Sequence, residues 1–160
     1  MRIVFLDFDG VVNICRREGS SMFDEQAMHR LHTLCNQTAA KIVVSSSWRE
    51  TFSLEKLHDF FEPDELRDLV IGVTPVVAQP KFPPYIKGIR QREVEAWLSS
   101  FGGEVEWIAL DDAADLFDKG CPWLVECDAR QGFDDKALAK ALELFLKYPN
   151  PADGVNFDYE

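Results

Sequence analysis

Short β-branched runs alternate five times with stretches whose apolar residues recur at helical spacing, and this alternation most constrains the fold. Arg2-Ile3-Val4-Phe5-Leu6 is continuous, as expected of a strand buried on both faces, and it ends abruptly at Asp7-Phe8-Asp9-Gly10. Ala27, Met28, Leu31, Leu34 and Cys35 mark a helix that opens at Asp24, an N-cap residue type. Lys41-Ile42-Val43-Val44 is the second strand and ends in Ser45-Ser46-Ser47. Leu54, Leu57, Phe60 and Phe61 predict a second helix, stopped near Pro63. Leu69 to Val73 is the third strand and runs into a loop with Pro75, Pro80, Pro83 and Pro84, where regular structure cannot persist.

Val94, Trp97, Leu98 and Phe101 share a helix face, with Gly102-Gly103 as its exit. Val105 to Leu110 is the fourth strand and ends in Asp111-Asp112. A helical turn over Ala113 to Phe117 leads to a fifth strand around Trp123-Leu124-Val125, and Leu138, Leu142 and Phe145 mark the last helix. Strand and helix in this order predict an α/β fold, a five-stranded, mainly parallel sheet between two layers of helices. Repeats and low-complexity blocks are lacking, so residues 1–160 are expected to form a single domain with a polar tail over 149–160, in which Phe157 and Tyr159 are candidates to dock.

Composition supports a globular reading: 46% of the residues are hydrophobic and 28% charged, whereas disorder requires low hydrophobicity with high charge. The first apolar run is broken at Asp7 and no run approaches the ~20 residues of a membrane span, which points to a soluble, cytoplasmic protein. A net charge of −11 disfavours membranes and any broad nucleic-acid surface, while leaving room for a local site for one phosphate. Cys15, Cys35, Cys121 and Cys127 form no CxxC pair and the three histidines lack zinc spacing, so reduced, idle thiols are expected.

In an open parallel sheet, ligands bind at the carboxyl ends of strands where the strand order reverses. Asp7 and Asp9, the three serines, and Asp111 and Asp112 all stand at such ends. Any one of these acids is explained by a turn or a cap. Two strands that both end in acid pairs are not, because charges 4 Å apart repel by ~4 kcal/mol at an effective dielectric near 20. A hard divalent cation removes that penalty, and Mg²⁺ is held by one or two carboxylates together with water and phosphate oxygens. Serine hydroxyls and backbone N–H groups at a helix start suit the phosphate itself. Lys87, Arg90 and Arg92 are the nearby candidates for a balancing cation.

Val4-Phe5-Leu6-Asp7-Phe8-Asp9-Gly10-Val11-Val12 resembles the first motif of the haloacid dehalogenase (HAD) superfamily, a strand followed by DxDG. Ile42-Val43-Val44-Ser45-Ser46-Ser47-Trp48-Arg49 resembles its second motif and Ile108-Ala109-Leu110-Asp111-Asp112 its fourth, while Lys87 or Arg90 matches the lone base of the third. The resemblance implies a Rossmann-like, HAD-like three-layer sandwich and a Mg²⁺-dependent phosphomonoester hydrolase. Asp7 would attack phosphorus and carry an aspartyl-phosphate. Asp9 would protonate the leaving oxygen and then deprotonate water; dehalogenases of the superfamily lack that second acid.

By the same resemblance Asp7, Asp9 (through its backbone carbonyl), Asp111 and Asp112 would hold Mg²⁺. Gly10 would let the chain turn tightly beside the phosphate. Ser46 is the expected second-motif hydroxyl, with Ser45 and Ser47 as alternatives whose other reading is helix capping. Arg90 or Lys87 would balance the transferring phosphoryl group. Arg49 is the candidate for touching substrate, Trp48 is expected to pack, Arg92 to lie solvated, and Asp115 to be either a supporting acid or a surface residue.

The intervals between motifs leave no room for a full cap domain. Capless members of the superfamily tend to act on large substrates or to close their sites by oligomerisation. The short second motif and the Asp-Asp fourth motif resemble HAD domains associated with RNA repair. The expected partner is therefore a phosphorylated substrate, whether a small molecule, a phosphoprotein or a nucleic-acid end, with a homo-oligomer as a further option. A non-catalytic HAD-like module that binds a phosphoryl group or a partner is the alternative, and the intact Asp7 and Asp9 count against it. A response-regulator receiver domain would place its acid pair first and its phosphorylated Asp after the third strand, the reverse of the order here.

Overall fold

The protein is described by a computed structural model covering residues 1–14 and 23–147; Cys15, the Ser20-Ser21 loop and the tail with Phe157 and Tyr159 lie outside the described residues. Its elements are β1 (Arg2–Leu6), α1 (Glu25–Thr38), β2 (Lys41–Val44), α2 (Leu54–His58), α3 (Asp64–Arg67), β3 (Val70–Val73), α4 (Ile89–Phe101), β4 (Glu106–Asp111), β5 (Leu124–Glu126) and α5 (Asp135–Lys147). The strands form one sheet in the order β3-β2-β1-β4-β5, with every pairing parallel. The chain winds outward from β1 to β3 and then crosses back to β4 and β5. The order thus reverses between β1 and β4, and the carboxyl ends of those two strands meet there.

Side-chain alternation sorts the strands onto two faces. Val4, Leu6, Ile42, Val44, Ile108 and Leu110 pack into a large core with α1 and α5. Ile3, Phe5, Val43 and Ala109 form a smaller one with Val94 and Trp97 of α4. There the Phe5 ring stands edge-on to Trp97 at 5.6 Å and to Trp107 at 5.7 Å. Fully burying each such side chain is worth about 1.5–3 kcal/mol, so β1, buried throughout, nails the two layers together. The Asp24 carboxylate accepts from the N–H of Ala27 at 2.9 Å and fixes the start of α1.

The helix expected across Leu54 to Phe61 is divided. A 3-10 turn (Ser47–Glu50) follows β2, and α2 ends at His58. Beyond it the N–H groups of Phe60 and Phe61 reach back only three residues, to Leu57 and His58. This tightening precedes Pro63, whose missing N–H and ring stop a helix that approaches it. Leu57 and Phe61 are nonetheless fully buried, as the helical spacing requires. No described helix is long and apolar enough to cross a membrane.

Candidate active site

One pleat beyond the apolar layer on the α4 face, the strands turn polar. Asp7 follows Phe5, Ser45 follows Val43, Asp111 follows Ala109, and Thr74 follows Gly72, whose Cα faces Trp97. The register makes these residues neighbours: Leu6 pairs with Val44 and Leu110, and Val44 pairs with Val73. Backbone bonds carry the ladder one step further, from Asp7 N–H to the Leu110 carbonyl and from Ser45 N–H to the Leu6 carbonyl. A row of buried polar side chains therefore crosses the carboxyl edge of the sheet and ends with Asp7 and Asp111, where the strand order reverses.

The acids cluster tightly. Carboxylate oxygens of Asp7, Asp111 and Asp112 all lie within 4.8 Å of one another. Asp7 is 5% exposed and Asp111 1%. Burial, then the neighbouring Asp111 charge, pushes the Asp7 carboxyl up to about 8, against the opposing pull of Arg90. Asp111 is also raised, chiefly by burial. Arg90, on the first turn of α4, places Nη1 2.9 Å from Asp111 and 3.5 Å from Asp7. Burial alone would lower its guanidinium pKa, but the two carboxylates outweigh that and raise it. One guanidinium leaves this charge under-compensated. Three converging hard oxygen donors therefore fit Mg²⁺ by donor chemistry.

Local turns explain how the acids converge. After β1 the N–H groups of Val11, Val12 and Asn13 all donate to the Phe8 carbonyl, curling the chain tightly past Gly10. Gly10 sits at φ +79°, and a Cβ there would overlap the Asp112 carboxylate. Only glycine permits both the turn and that approach. Asp9 points elsewhere: its two carboxylate oxygens accept from Asn13 Nδ2 at 2.7 Å and from Trp48 Nε1 at 3.0 Å. Its side chain is exposed and outside the three-carboxylate group.

Four expected positions take different places. Ser46 is buried, but its hydroxyl accepts from the N–H of Trp48 at 3.2 Å and caps the 3-10 turn. The hydroxyl in register with Asp7 belongs to Ser45, and it finds no hydrogen-bond partner among the described residues. Ser47 is exposed on the turn itself. Lys87 precedes α4, is exposed, and makes no ion pair with the acids among the described residues, whereas Arg90 does.

Arg49 is the clearest departure. Its side chain is 3% exposed, with Nη2 2.6 Å from Glu93 on α4. The other donors go to the carbonyls of Thr74, Ser45, Ser46 and Pro75, so all five N–H groups are committed inside the protein. Burial lowers its pKa while Glu93 opposes that. Arg49 therefore clasps the ends of β2 and β3 to α4 and has nothing left for a substrate. Arg92 pairs with Glu95 and Asp118, and Asp115 is exposed on the turn after β4. Cys35 and Cys127 are free and buried, their thiols pushed up to about 12 by desolvation; Cys121 is free as well.

Sequence reading passed over Thr74, Glu93 and Asn13. Thr74 Oγ1 is buried without a partner among the described residues, and it is the first polar residue after its strand, the signal that drew attention to Asp7 and to the three serines. Glu93 stands three residues after Arg90 and so shares its helix face. Trp48 does pack, edge-on to Phe8 and Phe60, and also orients Asp9 through its indole N–H.

Comparison with curated proteins and with solved structures gives no significant match. A family model does match, over residues 3–138, a span that includes β1 from Ile3 onward, the acid cluster, α4 and β5. With its parallel α/β sheet and its strand-end acids all inside that span, the chain belongs to the family described as the HAD domain in Swiss Army Knife RNA repair proteins.

Proposed function

We propose that this HAD-type, phosphatase-like module is a Mg²⁺-dependent phosphomonoester hydrolase that works through an aspartyl-phosphate on Asp7. The observation that carries the reading is the cluster of Asp7, Asp111 and Asp112 with Arg90 against it, at the one point where strand order reverses. Asp7, Asp111 and Asp112 would hold Mg²⁺, with the Asp9 carbonyl as the family resemblance implies. The ion, when bound, supplies positive charge to the phosphoryl oxygens and to the crowded carboxylates.

An Asp7 oxygen attacks phosphorus as the bond to the leaving oxygen breaks, and Asp9 gives that oxygen its proton. Water then attacks the phosphoryl group, its proton returns to Asp9, and Asp7 is released with inorganic phosphate. Trp48 and Asn13 hold the Asp9 carboxyl in one orientation through both steps. Arg90 faces the charge that builds on the phosphoryl oxygens. The Ser45 hydroxyl, buried beside Asp7 without a partner among the described residues, donates to one of them and so relieves a defect worth about 1–3 kcal/mol. The family's association with RNA repair proteins favours a phosphorylated nucleic-acid end over a small metabolite as substrate.

The test is hydrolysis of an aryl phosphate and of 3′- and 5′-phosphorylated oligonucleotides with Mg²⁺, with EDTA and with Asp7→Asn. Turnover that needs Mg²⁺ and disappears in the variant is expected. A folded wild type that turns over none of these substrates overturns the reading and leaves a phosphoryl-binding module.

A further inference from the structure

The loop between β3 and α4, together with the first turn of α4, is a stretch where the charge reverses. From Pro75 to Arg92 there are Lys81, Lys87, Arg90 and Arg92 and no Asp or Glu, in a protein of net charge −11. The same loop presents Phe82 at 71% and Tyr85 at 57% exposure. Lys81 Nζ lies 5.7 Å from the centre of the Phe82 ring. Among the described residues nothing covers these two aromatics, and they stand beside cations on an acidic protein.

The loop is also braced. The Gln79 side-chain amide donates to the Ile86 carbonyl at 2.9 Å and accepts from the Ile86 N–H at 2.8 Å, closing the segment that holds both aromatics. At its start, Val77 N–H donates to Glu93 and Arg49 holds the Pro75 carbonyl. At its end, Gly88 (φ +59°) packs against Asp118 so closely that a Cβ would sit 2.8 Å from the carboxylate. Pro80, Pro83 and Pro84 restrict what lies between. A loop held in this way gives up little conformational entropy on binding. Tyr85 and Arg90 are joined by five residues of chain, at most about 18 Å. The rings therefore stand within a few nucleotides of Asp7.

We propose that this braced loop is a docking surface for a single-stranded polynucleotide: Phe82 and Tyr85 stack bases, and Lys81 and Lys87 contact phosphates leading to the acid cluster. The position of the strand's phosphorylated end rests on the phosphatase reading; the stacking surface does not. Every base offers a π-face, so stacking on paired aromatics suits a strand of any sequence. The acidic remainder of the surface confines the contact to a few nucleotides.

The experiment measures binding of a short, fluorescently labelled single-stranded RNA, phosphorylated at its 3′ or 5′ end, to Asp7→Asn protein in Mg²⁺. In that background Phe82→Ala and Tyr85→Ala are each expected to weaken binding about 5- to 150-fold, the size of one lost stacking contact. Two phosphate contacts predict a shallow salt dependence, a log–log slope of about −1.4, reduced by Lys81→Gln. With Asp7 intact, Phe82→Ala/Tyr85→Ala should leave aryl phosphate hydrolysis unchanged. Unchanged RNA affinity in the double variant overturns the docking surface, even if the wild type is an active phosphatase. A phosphopeptide that binds as tightly and suffers the same loss overturns it too, in favour of a protein partner. Loss of RNA binding in the double variant sustains the surface even where wild type shows no turnover, which sinks the phosphatase reading alone.

Discussion

The two faces of the sheet differ in how far their apolar character runs. On the α1/α5 face Leu6, Val44 and Leu110 are apolar to the strand ends, and Phe8 extends that layer beyond β1. On the α4 face Phe5, Val43 and Ala109 give way one pleat later to Asp7, Ser45 and Asp111. Helix α4 matches the change along its length: Val94 and Trp97 meet the apolar layer, while Arg90 and Glu93 meet the polar one. Stability is thus concentrated on one face and polarity in need of partners on the other. A fold that separates them in this way can hold crowded, half-compensated acids without risking its main core.

Removing the clasp tests that separation most severely. Arg49→Met leaves the buried Glu93 carboxylate without its countercharge and takes side-chain donors from the carbonyls of Thr74, Ser45 and Pro75, and stranding one member of such a pair costs about 3–5 kcal/mol, read as a fall in the urea midpoint. If the midpoint hardly moves, the polar face contributes less to stability than its geometry implies. Leu31→Ala in the large core should cost about 2–5 kcal/mol, with the aryl phosphate activity of the remaining folded protein unchanged. Arg90→Ala, assayed in Mg²⁺ so that the ion takes over compensation of Asp7 and Asp111, should lower kcat about 10²–10³-fold. Equal losses of activity in Leu31→Ala and Arg90→Ala would erase the distinction between the faces.

Much of this division was legible in the sequence, because a strand buried on both faces that ends in an acid has little else to do with it. Asp7, Asp111 and Asp112 stand out in this way, and a parallel sheet of five strands followed from the alternation, though not the order of its strands. What was not legible depended on single steps of register or on distant partners. Ser45 and Ser46 differ only by which face the pleat assigns them: the resemblance points to Ser46, and the hydroxyl in register with Asp7 is that of Ser45. Lys87 and Arg90 differ only by where α4 begins, at Ile89, a boundary that sequence pattern leaves uncertain. Arg49 looks like an outward-facing cation until its partner Glu93, 44 residues away, is brought to it. Phe60 and Phe61 kept helical spacing although the helix ended at His58, since tight turns preserve nearly the same periodicity.

The smallest effect, and the one that addresses the polar face alone, is a pH dependence. In metal-free protein the Asp7 carboxyl is raised from an ordinary 3.8 to about 8, and Asp111 is raised as well, by burial first and then, for Asp7, by its acidic neighbour. Between those limits the native state retains protons that the unfolded chain has released, so raising the pH favours unfolding. The urea midpoint in EDTA should therefore decline steadily from about pH 4 to about pH 8, with no comparable contribution from the apolar α1/α5 core. Asp7→Asn, which removes the most perturbed carboxyl, should flatten that decline. Mg²⁺ competes with the retained protons, so its stabilising effect should grow over the same range. A midpoint in EDTA that is independent of pH, or an equal slope in parent and Asp7→Asn, would mean that Arg90 already compensates the cluster. The polar face would then be as self-sufficient as the apolar one.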